Sequence, residues 1–283
     1  MKAKPVAIAL LLFSAVSAAQ TQPPTFSAKV EAVRVDALVT DKGQPVLGLT
    51  ASDFEVLDNG VPQQLDFVSY EQIPLNIVLA LDMSDSVAGE RLTHLREAGS
   101  ALLAGLKQGD QAALVTFSRI VGLRSGLTTN ASIVRRALNE ANGVGPTSLV
   151  DGAYAGLMVG ESDVGRALLI VFSDGLDTAS WLTPQAVIDT AKRSDAVVYG
   201  VSVGRGRPEF LRDLSATTGG RLFEVEKTAN LSAIFLEVLQ EFRQRYLVSY
   251  TPRGVAKDGW HRLDVRVKRK GTVKARPGYL AGS

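Results

Sequence analysis

Acidic and hydroxyl side chains alternate directly after the most continuous apolar run in the chain. Residues 75–86 read Leu-Asn-Ile-Val-Leu-Ala-Leu-Asp-Met-Ser-Asp-Ser, which places Asp82, Ser84 and Ser86 at alternate positions. Such an apolar run is typical of a strand covered on both faces, as in a parallel sheet. Open α/β sheets bind ligands beyond the carboxyl ends of their strands. The spacing therefore predicts an oxygen-rich site for a hard cation such as Mg²⁺ at this strand end.

Two later loops carry the same kinds of side chain. Residues 145–148 read Gly-Pro-Thr-Ser before a helix predicted from Val150, and a predicted strand over residues 167–172 runs into Ser-Asp-Gly at 173–175. A doubly wound strand order would bring both loops to the sheet edge that holds the first. The candidate metal ligands are Asp82, Ser84, Ser86, Thr147 and Asp174. This all-oxygen set favours Mg²⁺, with Mn²⁺ as a second option, and disfavours zinc.

The charge of this ligand set would leave a bound metal ion incompletely coordinated. Two carboxylates only balance a divalent ion, and neutral hydroxyls are weak donors. Mg²⁺ demands near-octahedral oxygen coordination, so water must complete it. A carboxylate from another protein would gain charge attraction by replacing one such water. The set is therefore suited to capturing an acidic side chain of a partner protein.

The D-x-S-x-S run, the later threonine and the Asp-Gly pair together resemble the metal-ion-dependent adhesion site of von Willebrand factor type A (VWA) domains. The resemblance covers about residues 71–242. It implies a VWA fold and a protein-binding function, with Ser84 and Ser86 binding the metal directly. Thr147 and the two aspartates would bind directly or through water. Pro146 departs from the pattern, because many relatives carry a glycine there, and it stiffens the turn before Thr147.

Segments outside this region resemble a narrower group of proteins. Residues 35–41 (Val-Asp-Ala-Leu-Val-Thr-Asp), 53–60 (Asp-Phe-Glu-Val-Leu-Asp-Asn-Gly) and 276–279 (Arg-Pro-Gly-Tyr) are similar to exported bacterial VWFA-related proteins of the acidobacterial type. With these segments the resemblance covers most of the mature chain. It implies an exported protein.

The first nineteen residues have the pattern of a cleaved export signal. Lys2 and Lys4 precede an apolar segment at 6–13 and a small-residue stretch at 14–19. The apolar segment is shorter than the ~20 residues that span a bilayer. This disfavours a membrane anchor, so we expect no transmembrane segment in the mature chain. The location is expected to be periplasmic, secreted or cell-surface, and the lack of cysteine fits an exported bacterial protein of this size.

The charge balance disfavours nucleic-acid binding. The chain has 31 basic and 29 acidic residues, and removal of Lys2 and Lys4 with the signal leaves 29 of each. No overall positive field then attracts nucleic acid. From Arg243 onward, however, eleven Lys or Arg residues face two acids. This excess is either a solvated strand face or a contact surface for an anionic envelope component.

The periodicity of apolar residues divides the chain into β, α/β and β regions. Residues 33–39 alternate between apolar and polar, and the Asn-Gly pair at 59–60 predicts a hairpin between 54–57 and 64–68. After Pro74, strand-like and helix-like runs alternate, which predicts a mostly parallel sheet with helices on both faces. Each β region is small for a stable domain, so we expect the two to pair, with separate appendages as the alternative.

The predicted fold class is α/β. A Rossmann-like VWA domain, with a mostly parallel sheet and helices on both faces, is inserted in a small all-β sandwich-like domain formed by the N- and C-terminal segments. The predicted boundaries are a signal peptide at 1–19, a flexible lead-in at 20–26, an N-terminal β segment at 27–70, the VWA domain at 71–245 and a C-terminal β segment at 246–280 that pairs with 27–70.

Other polar residues near the three loops have structural explanations. Asp151 is predicted to lie in the first turn of a helix, Asp177 in a turn, and Ser148 at a helix N-cap. His94 and His261, the two histidines of the chain, are expected to be structural or solvated. We identify no nucleophile elbow of a serine hydrolase and no phosphate-binding loop with its lysine.

These residues support three hypotheses on function. The first is an exported, non-enzymatic protein-binding or adhesion module that holds Mg²⁺ and captures an Asp or Glu of a partner protein. The alternative is a structural envelope scaffold whose cation only stabilises the fold. The third, a metal-dependent hydrolase, would need a general base beside the ion, and the sequence offers only aspartates already assigned as ligands.

Overall fold

Strands and helices alternate through the middle of the chain, and strands alone occupy both ends. The computed structural model describes residues 32–70, 73–161, 165–204 and 208–282. The predicted signal peptide, the lead-in and residues 27–31 of the N-terminal β segment lie outside the described residues.

The described helices are α1 (Glu90–Ala104), α2 (Ala131–Glu140), α3 (Leu149–Gly160), α4 (Pro184–Arg193), α5 (Glu209–Thr217) and α6 (Leu231–Arg243). The described strands are β1 (Val33–Asp41), β2 (Gln44–Pro45), β3 (Phe54–Asp58), β4 (Val61–Gln63), β5 (Leu65–Ser69), β6 (Leu75–Asp82), β7 (Gln111–Phe117), β8 (Val121–Thr128), β9 (Arg166–Ser173), β10 (Val197–Val203), β11 (Leu222–Val225), β12 (Tyr246–Tyr250), β13 (Gly259–Val267), β14 (Thr272–Lys274) and β15 (Gly278–Ala281). No described helix combines the length and the apolar character that a membrane crossing requires.

The central sheet has the strand order β11-β10-β9-β6-β7-β8. Its first five strands pair in parallel, whereas β8 runs antiparallel to β7 at the edge. The sheet is therefore mixed, and the prediction of a mostly parallel sheet omitted β8. The pattern of β8 explains the omission, because Leu123 is 58% exposed while Ser125 is buried. An apolar residue faces outward and a polar one inward, opposite to the usual signal for a strand.

Helices cover both faces of this sheet because successive residues of its strands point to opposite sides. Ile77, Leu79 and Leu81 of β6 pack in the cluster of α1, α2 and α6. Val78 and Ala80 belong to the cluster of α3, α4 and α5 on the other side. All eight residues of β6 are buried, as its continuous apolar run predicts.

The strand order reverses at β6. The chain runs outward from β6 to β7 and β8, and then crosses to β9 on the other side of β6. In open α/β sheets, such a reversal opens a crevice beyond the carboxyl ends of the strands. The residues that follow β6 and β9 therefore lie at the natural binding position of the fold.

Strands from the two ends of the chain pair with each other. Antiparallel pairs join β1 to β12, β12 to β5, and β13 to β3. The two small sheets have the orders β14-β1-β12-β5, with β2 beside β1, and β15-β13-β3-β4. Their apolar residues share one buried cluster, which includes Val35, Val56 and Val248. Both small sheets and the α/β region belong to one compact unit.

The predicted hairpin forms, but its second strand differs from the prediction. Asn59 and Gly60 have positive φ angles of 48° and 83° and form the two-residue turn between β3 and β4. However, β4 ends at Gln63, and residues 65–69 form β5, which pairs with β12 in the other small sheet. The chain thus passes from one small sheet to the other at Gln64. The alternation of apolar and polar residues does not reveal this change.

Buried arginines connect the small sheets to the α/β region. The Arg166 Nε at the start of β9 donates to Asp36 Oδ1 of β1 at 2.6 Å. Arg245, which is fully buried, donates through Nη1 to the Asp36 carbonyl oxygen at 3.1 Å and through Nη2 to the Tyr199 hydroxyl at 2.9 Å. Because a buried cation needs partners, these residues fix where the small sheets meet the α/β region.

Candidate functional site

Asp82 lies at the floor of the candidate site, as the last residue of β6. Its side chain is buried and accepts two hydrogen bonds, from the Ser84 N–H to Oδ1 at 2.8 Å and from the Ser173 hydroxyl to Oδ2 at 2.7 Å. Burial raises the pKa of Asp82 above its ordinary value, although the hydrogen bonds from Ser84 and Ser173 oppose this, and the nearby Asp174 charge raises it further. The site therefore holds a carboxylate in an environment that disfavours its negative charge.

A chain of hydroxyls links the first loop to Asp174. The Ser84 and Ser86 hydroxyl oxygens lie 3.1 Å apart. The Ser86 hydroxyl donates to Asp174 Oδ1 at 2.6 Å, and the Asp174 side chain has no exposed surface. Four of the five candidate ligands (Asp82, Ser84, Ser86 and Asp174) are thus brought together, although 88 positions separate the last two in sequence.

Thr147 and Ser86 both lie near Gly175. A Cβ atom built on Gly175 would lie 3.8 Å from the Thr147 hydroxyl oxygen and 4.0 Å from that of Ser86. Thr147 is 6% exposed, and within the described ranges its hydroxyl forms no hydrogen bond to the other four candidates. Gly175 thus keeps open a space that both hydroxyls border.

Backbone hydrogen bonds hold the three loops against one another. The Asp85 N–H donates to the Gly145 carbonyl oxygen at 3.2 Å, and the N–H groups of Thr178 and Ala179 donate to that of Thr147 at 2.9 and 3.1 Å. The loop before Thr147 also requires a glycine, because a Cβ on Gly143 would lie 2.0 Å from the Met83 carbonyl oxygen. Main-chain contacts therefore help to set the positions of the three loops.

The other nearby acids act mainly on the backbone. Asp151, in the first turn of α3, accepts from the N–H groups of Trp181 and Leu182 at 3.0 and 2.9 Å. Asp177 accepts from the Ser180 hydroxyl at 2.5 Å and from the Val150 N–H at 3.3 Å. Both tie the loop after β9 to the start of α3, as expected for a helix-start acid and a turn residue.

Ser148 occupies the N-cap of α3, but its hydroxyl does not cap the helix. The histidines lie outside the site. His94 bonds to the Thr228 hydroxyl at 2.9 Å, and His261 is buried against Asp58 with a distance of 2.7 Å from Nδ1 to Oδ1. These contacts agree with structural roles for both histidines.

Two residues that contact the candidate ligands were not predicted from the sequence. Ser173, the last residue of β9, bonds to Asp82 and could have been found from its place one position before Asp174. Arg91 reaches back from α1 to Asp174 Oδ2 and to the Ser86 carbonyl oxygen. Its only sequence signal is a basic residue soon after the D-x-S-x-S run.

Contrary to the sequence prediction, the chain contains a G-x-S-x-G pattern of the kind found in nucleophile elbows. Residues 200–204 read Gly-Val-Ser-Val-Gly. Ser202, however, lies inside β10 and is in register with Ser173 and Glu224 of the neighbouring strands. A nucleophile elbow places its serine on a sharp turn between strand and helix, so this pattern does not have the required context.

The donors at the site fit a hard divalent cation. They comprise two carboxylates and several hydroxyls, the oxygen ligands that Mg²⁺ and Mn²⁺ accept. Elsewhere in the part of the chain that the structure describes, no group of three or more His, Cys, Asp or Glu side chains could hold a metal ion.

Internal contacts use much of the C-terminal basic charge. Arg245 and Arg276 are buried, and Arg276 donates to the Ser194 and Lys192 carbonyl oxygens at 2.8 and 2.7 Å. Arg243 pairs with Asp110. Eight basic residues of this region remain for an anionic contact surface, and among them Arg266 pairs with Asp264 and Arg269 with Asp53.

Comparison with known proteins identifies the family. Residues 76–237 match the von Willebrand factor type A domain. Human calcium-activated chloride channel regulator 4 is 29% identical over 162 residues, which cover 54% of this chain and 17% of that protein.

Solved structures share the fold at low identity. Proximal thread matrix protein 1 from the mussel byssus, with a zinc-occupied MIDAS motif, has a TM-score of 0.56 at 17% identity and covers 65% of this chain and 49% of its own. The vWF domain of the type V pili tip protein Mfa5 from Porphyromonas gingivalis has a TM-score of 0.52 at 15% identity, with 66% and 99% covered. The family match spans more than half of the chain, and the protein belongs to the von Willebrand factor type A domain family.

Proposed function

We propose that this protein is an exported, non-enzymatic protein-binding module whose metal-ion-dependent adhesion site is intact. The ligands would be Asp82, Ser84, Ser86, Thr147 and Asp174, and an Asp or Glu of a partner protein would complete the coordination. The observation that supports this most directly is the hydrogen-bonded cluster of Asp82, Ser84, Ser86 and Asp174 at the strand-order reversal, with the Thr147 hydroxyl also close to Gly175.

The metal that we propose is Mg²⁺, with Mn²⁺ as a substitute. A divalent ion bound by these ligands would supply a positive charge, and water molecules in its coordination shell could be replaced by a partner carboxylate. Asp82 is buried and Ser86 is exposed, so the protein would hold the ion from below and leave the outer side accessible. Zinc belongs in any binding test, because one structural neighbour carries a zinc-occupied MIDAS motif.

Exposed apolar side chains near the site favour a protein partner. Trp181 is 94% exposed, Val144 77%, Ile120 76% and Leu176 62%. Leu176 and Trp181 belong to the loop after Asp174, and Val144 directly precedes Gly145, whose added Cβ would lie 3.6 Å from Arg119 Cβ beside Ile120. Large apolar residues exposed around a polar centre are typical of protein-binding surfaces.

The remaining sequence hypotheses extend this proposal. We infer an acidobacterial-type exported protein in the periplasm, in the medium or on the cell surface, and the pilus tip protein among the structural neighbours supports such a setting. We also propose that segments 27–70 and 246–280 form a sandwich-like domain into which the VWA domain at 71–245 is inserted. The strand pairs between the two ends and their shared apolar cluster support this division.

Metal-dependent capture tests the function. Immobilised protein is expected to retain an envelope protein from extract in Mg²⁺ and to release it in EDTA, because the partner carboxylate needs the ion. Ser86→Ala should lose this retention, and Ser132→Ala, at an exposed serine of α2, should keep it. Capture that is indifferent to EDTA would contradict the proposal. A large Mg²⁺-induced rise in melting temperature without metal-dependent capture would favour the scaffold alternative.

Replacing Trp181 should separate partner binding from metal binding. Trp181→Ser removes a fully projecting side chain but keeps the backbone N–H that bonds to Asp151. We expect at least tenfold weaker capture, about 1.4 kcal/mol, because exposed aromatic residues dominate binding energies. The Mg²⁺-induced thermal shift should be unchanged. Leu47→Ser, at another exposed apolar residue, is the control. Equal capture by both variants would rule out a role for Trp181.

A further inference from the structure

Arg91 is a cation at the candidate site that the proposed coordination does not use. It lies in the first turn of α1, and its Nη1 contacts Asp174 Oδ2 at 2.5 Å and the Ser86 carbonyl oxygen at 3.1 Å. The Arg91 side chain is 49% exposed, whereas that of Asp174 has no exposed surface. The guanidinium group thus covers one of the two carboxylates of the site.

Arg91 engages the oxygen of Asp174 that the serine leaves free. Oδ1 accepts from the Ser86 hydroxyl at 2.6 Å, and Oδ2 accepts from Arg91. A cation at this position competes with a divalent ion for Asp174 and also repels it. Arg91 therefore acts against metal binding in two ways.

Its charge has the opposite effect on an incoming carboxylate. Asp82, Asp174 and Arg91 together carry one net negative charge, which a divalent ion would convert into one net positive charge. Without Arg91, the same loaded site would be neutral. The additional positive charge attracts an acidic side chain.

The unused edge of the Arg91 guanidinium gives a geometric reason to expect that it binds a partner carboxylate. Both contacts of Arg91 are made by Nη1, and its Nε and Nη2 form no hydrogen bond within the described part of the chain. Nε and Nη2 together present the parallel N–H donors that bind a carboxylate in bidentate fashion. A carboxylate arriving at the exposed side of the site can therefore contact Arg91 directly.

We propose that Arg91 weakens divalent-cation binding and strengthens the binding of a partner carboxylate to the loaded site. This inference rests on the proposed function, because it assumes that the five ligands hold an ion. Compared with the same site lacking Arg91, the site with Arg91 binds the metal ion less tightly. Once loaded with the ion, it binds an acidic partner more tightly.

Mn²⁺ titrations of three variants test this inference. Free Mn²⁺ is measured by electron paramagnetic resonance, and acetate binding is followed through the water-proton relaxation of the loaded protein. Arg91→Gln should bind Mn²⁺ about three- to tenfold more tightly and acetate more weakly, on the scale of a partly exposed ion pair. Arg91→Lys keeps the charge but loses the planar donor pair, so its Mn²⁺ affinity should stay near that of the wild type while acetate binding falls.

The matched control is Arg212→Gln. Arg212 pairs with Glu224 at 3.2 Å, and its side chain is 51% exposed, close to the value for Arg91. This variant should resemble the wild type in both titrations. Unchanged or weaker Mn²⁺ binding by Arg91→Gln, or unchanged acetate binding by Arg91→Lys, would overturn the inference alone. If neither the wild type nor any variant bound Mn²⁺, the proposed function would fail together with it.

Discussion

Replacing Asp82 with asparagine is expected to stabilise the metal-free protein and to abolish its stabilisation by Mg²⁺. Burial raises the pKa of Asp82 in the folded protein above its value in the unfolded chain. The ionised carboxylate therefore lowers the free energy of unfolding at neutral pH, and this cost disappears as the pH falls below the unfolded-state pKa. Asparagine removes the charge and keeps an oxygen that can accept from the Ser84 N–H. We expect a gain of roughly 1 kcal/mol without metal.

The same substitution should remove the response to metal. At a Mg²⁺ concentration of about 100 times its dissociation constant, the wild type should gain roughly 2.7 kcal/mol, whereas Asp82→Asn should gain none. Thermal melts with and without Mg²⁺ measure both effects. Asp189→Asn is the control, because Asp189 is a half-exposed acid on α4 that pairs with Lys192. A Mg²⁺-induced shift that survives in Asp82→Asn would exclude Asp82 as a ligand.

Asp36→Ala is expected to destabilise the protein by about 3–5 kcal/mol, the usual cost of leaving one partner of a buried ion pair unpaired. The Asp36 and Arg166 side chains are 6% and 3% exposed, and the pair joins β1 to the start of β9. Among the described residues, the guanidinium of Arg166 then keeps a 3.3 Å hydrogen bond to the Phe242 carbonyl oxygen and its contact with the Phe242 ring. Urea unfolding at neutral pH measures the loss.

A double variant separates the lost charge pair from other effects. In Asp36→Leu/Arg166→Met no uncompensated charge remains, so its stability should exceed that of Asp36→Ala by at least about 2 kcal/mol. The exposed pair Lys192–Asp189 provides the comparison, since Asp189→Ala should leave the stability close to that of the wild type. If the double variant were as unstable as the sum of the two single changes, the pair would not be the source of the effect.

Sequence periodicity predicted the α/β region well because its strands are buried on both faces. The apolar run of β6 ends at Asp82, where the strand itself ends, and the last apolar stripe became α6 at Leu231–Arg243. The strand β8 was missed because Leu123 faces outward and Ser125 inward. Its hydrogen bonds to β7, rather than its pattern, place it in the sheet.

The candidate site was predictable as far as its residues follow strand ends. Asp82 ends one apolar strand and Asp174 directly follows another, and these positions are visible in the sequence. Arg91 was not predictable, because its contact with Asp174 joins residues 83 positions apart through the path of α1. Likewise, nothing local shows that residues 65–69 leave the hairpin for the sheet of β12. Long-range contacts decide such features.

The pairing of β5 with β12 has a mechanical consequence. These strands are the last before β6 and the first after α6, so the entry and exit of the α/β region are held side by side by the register that joins Val68 to Val248. A pulling force applied to the two chain segments that flank the α/β region would therefore load the hydrogen bonds between these adjacent strands before it separated the entry and exit of the central sheet.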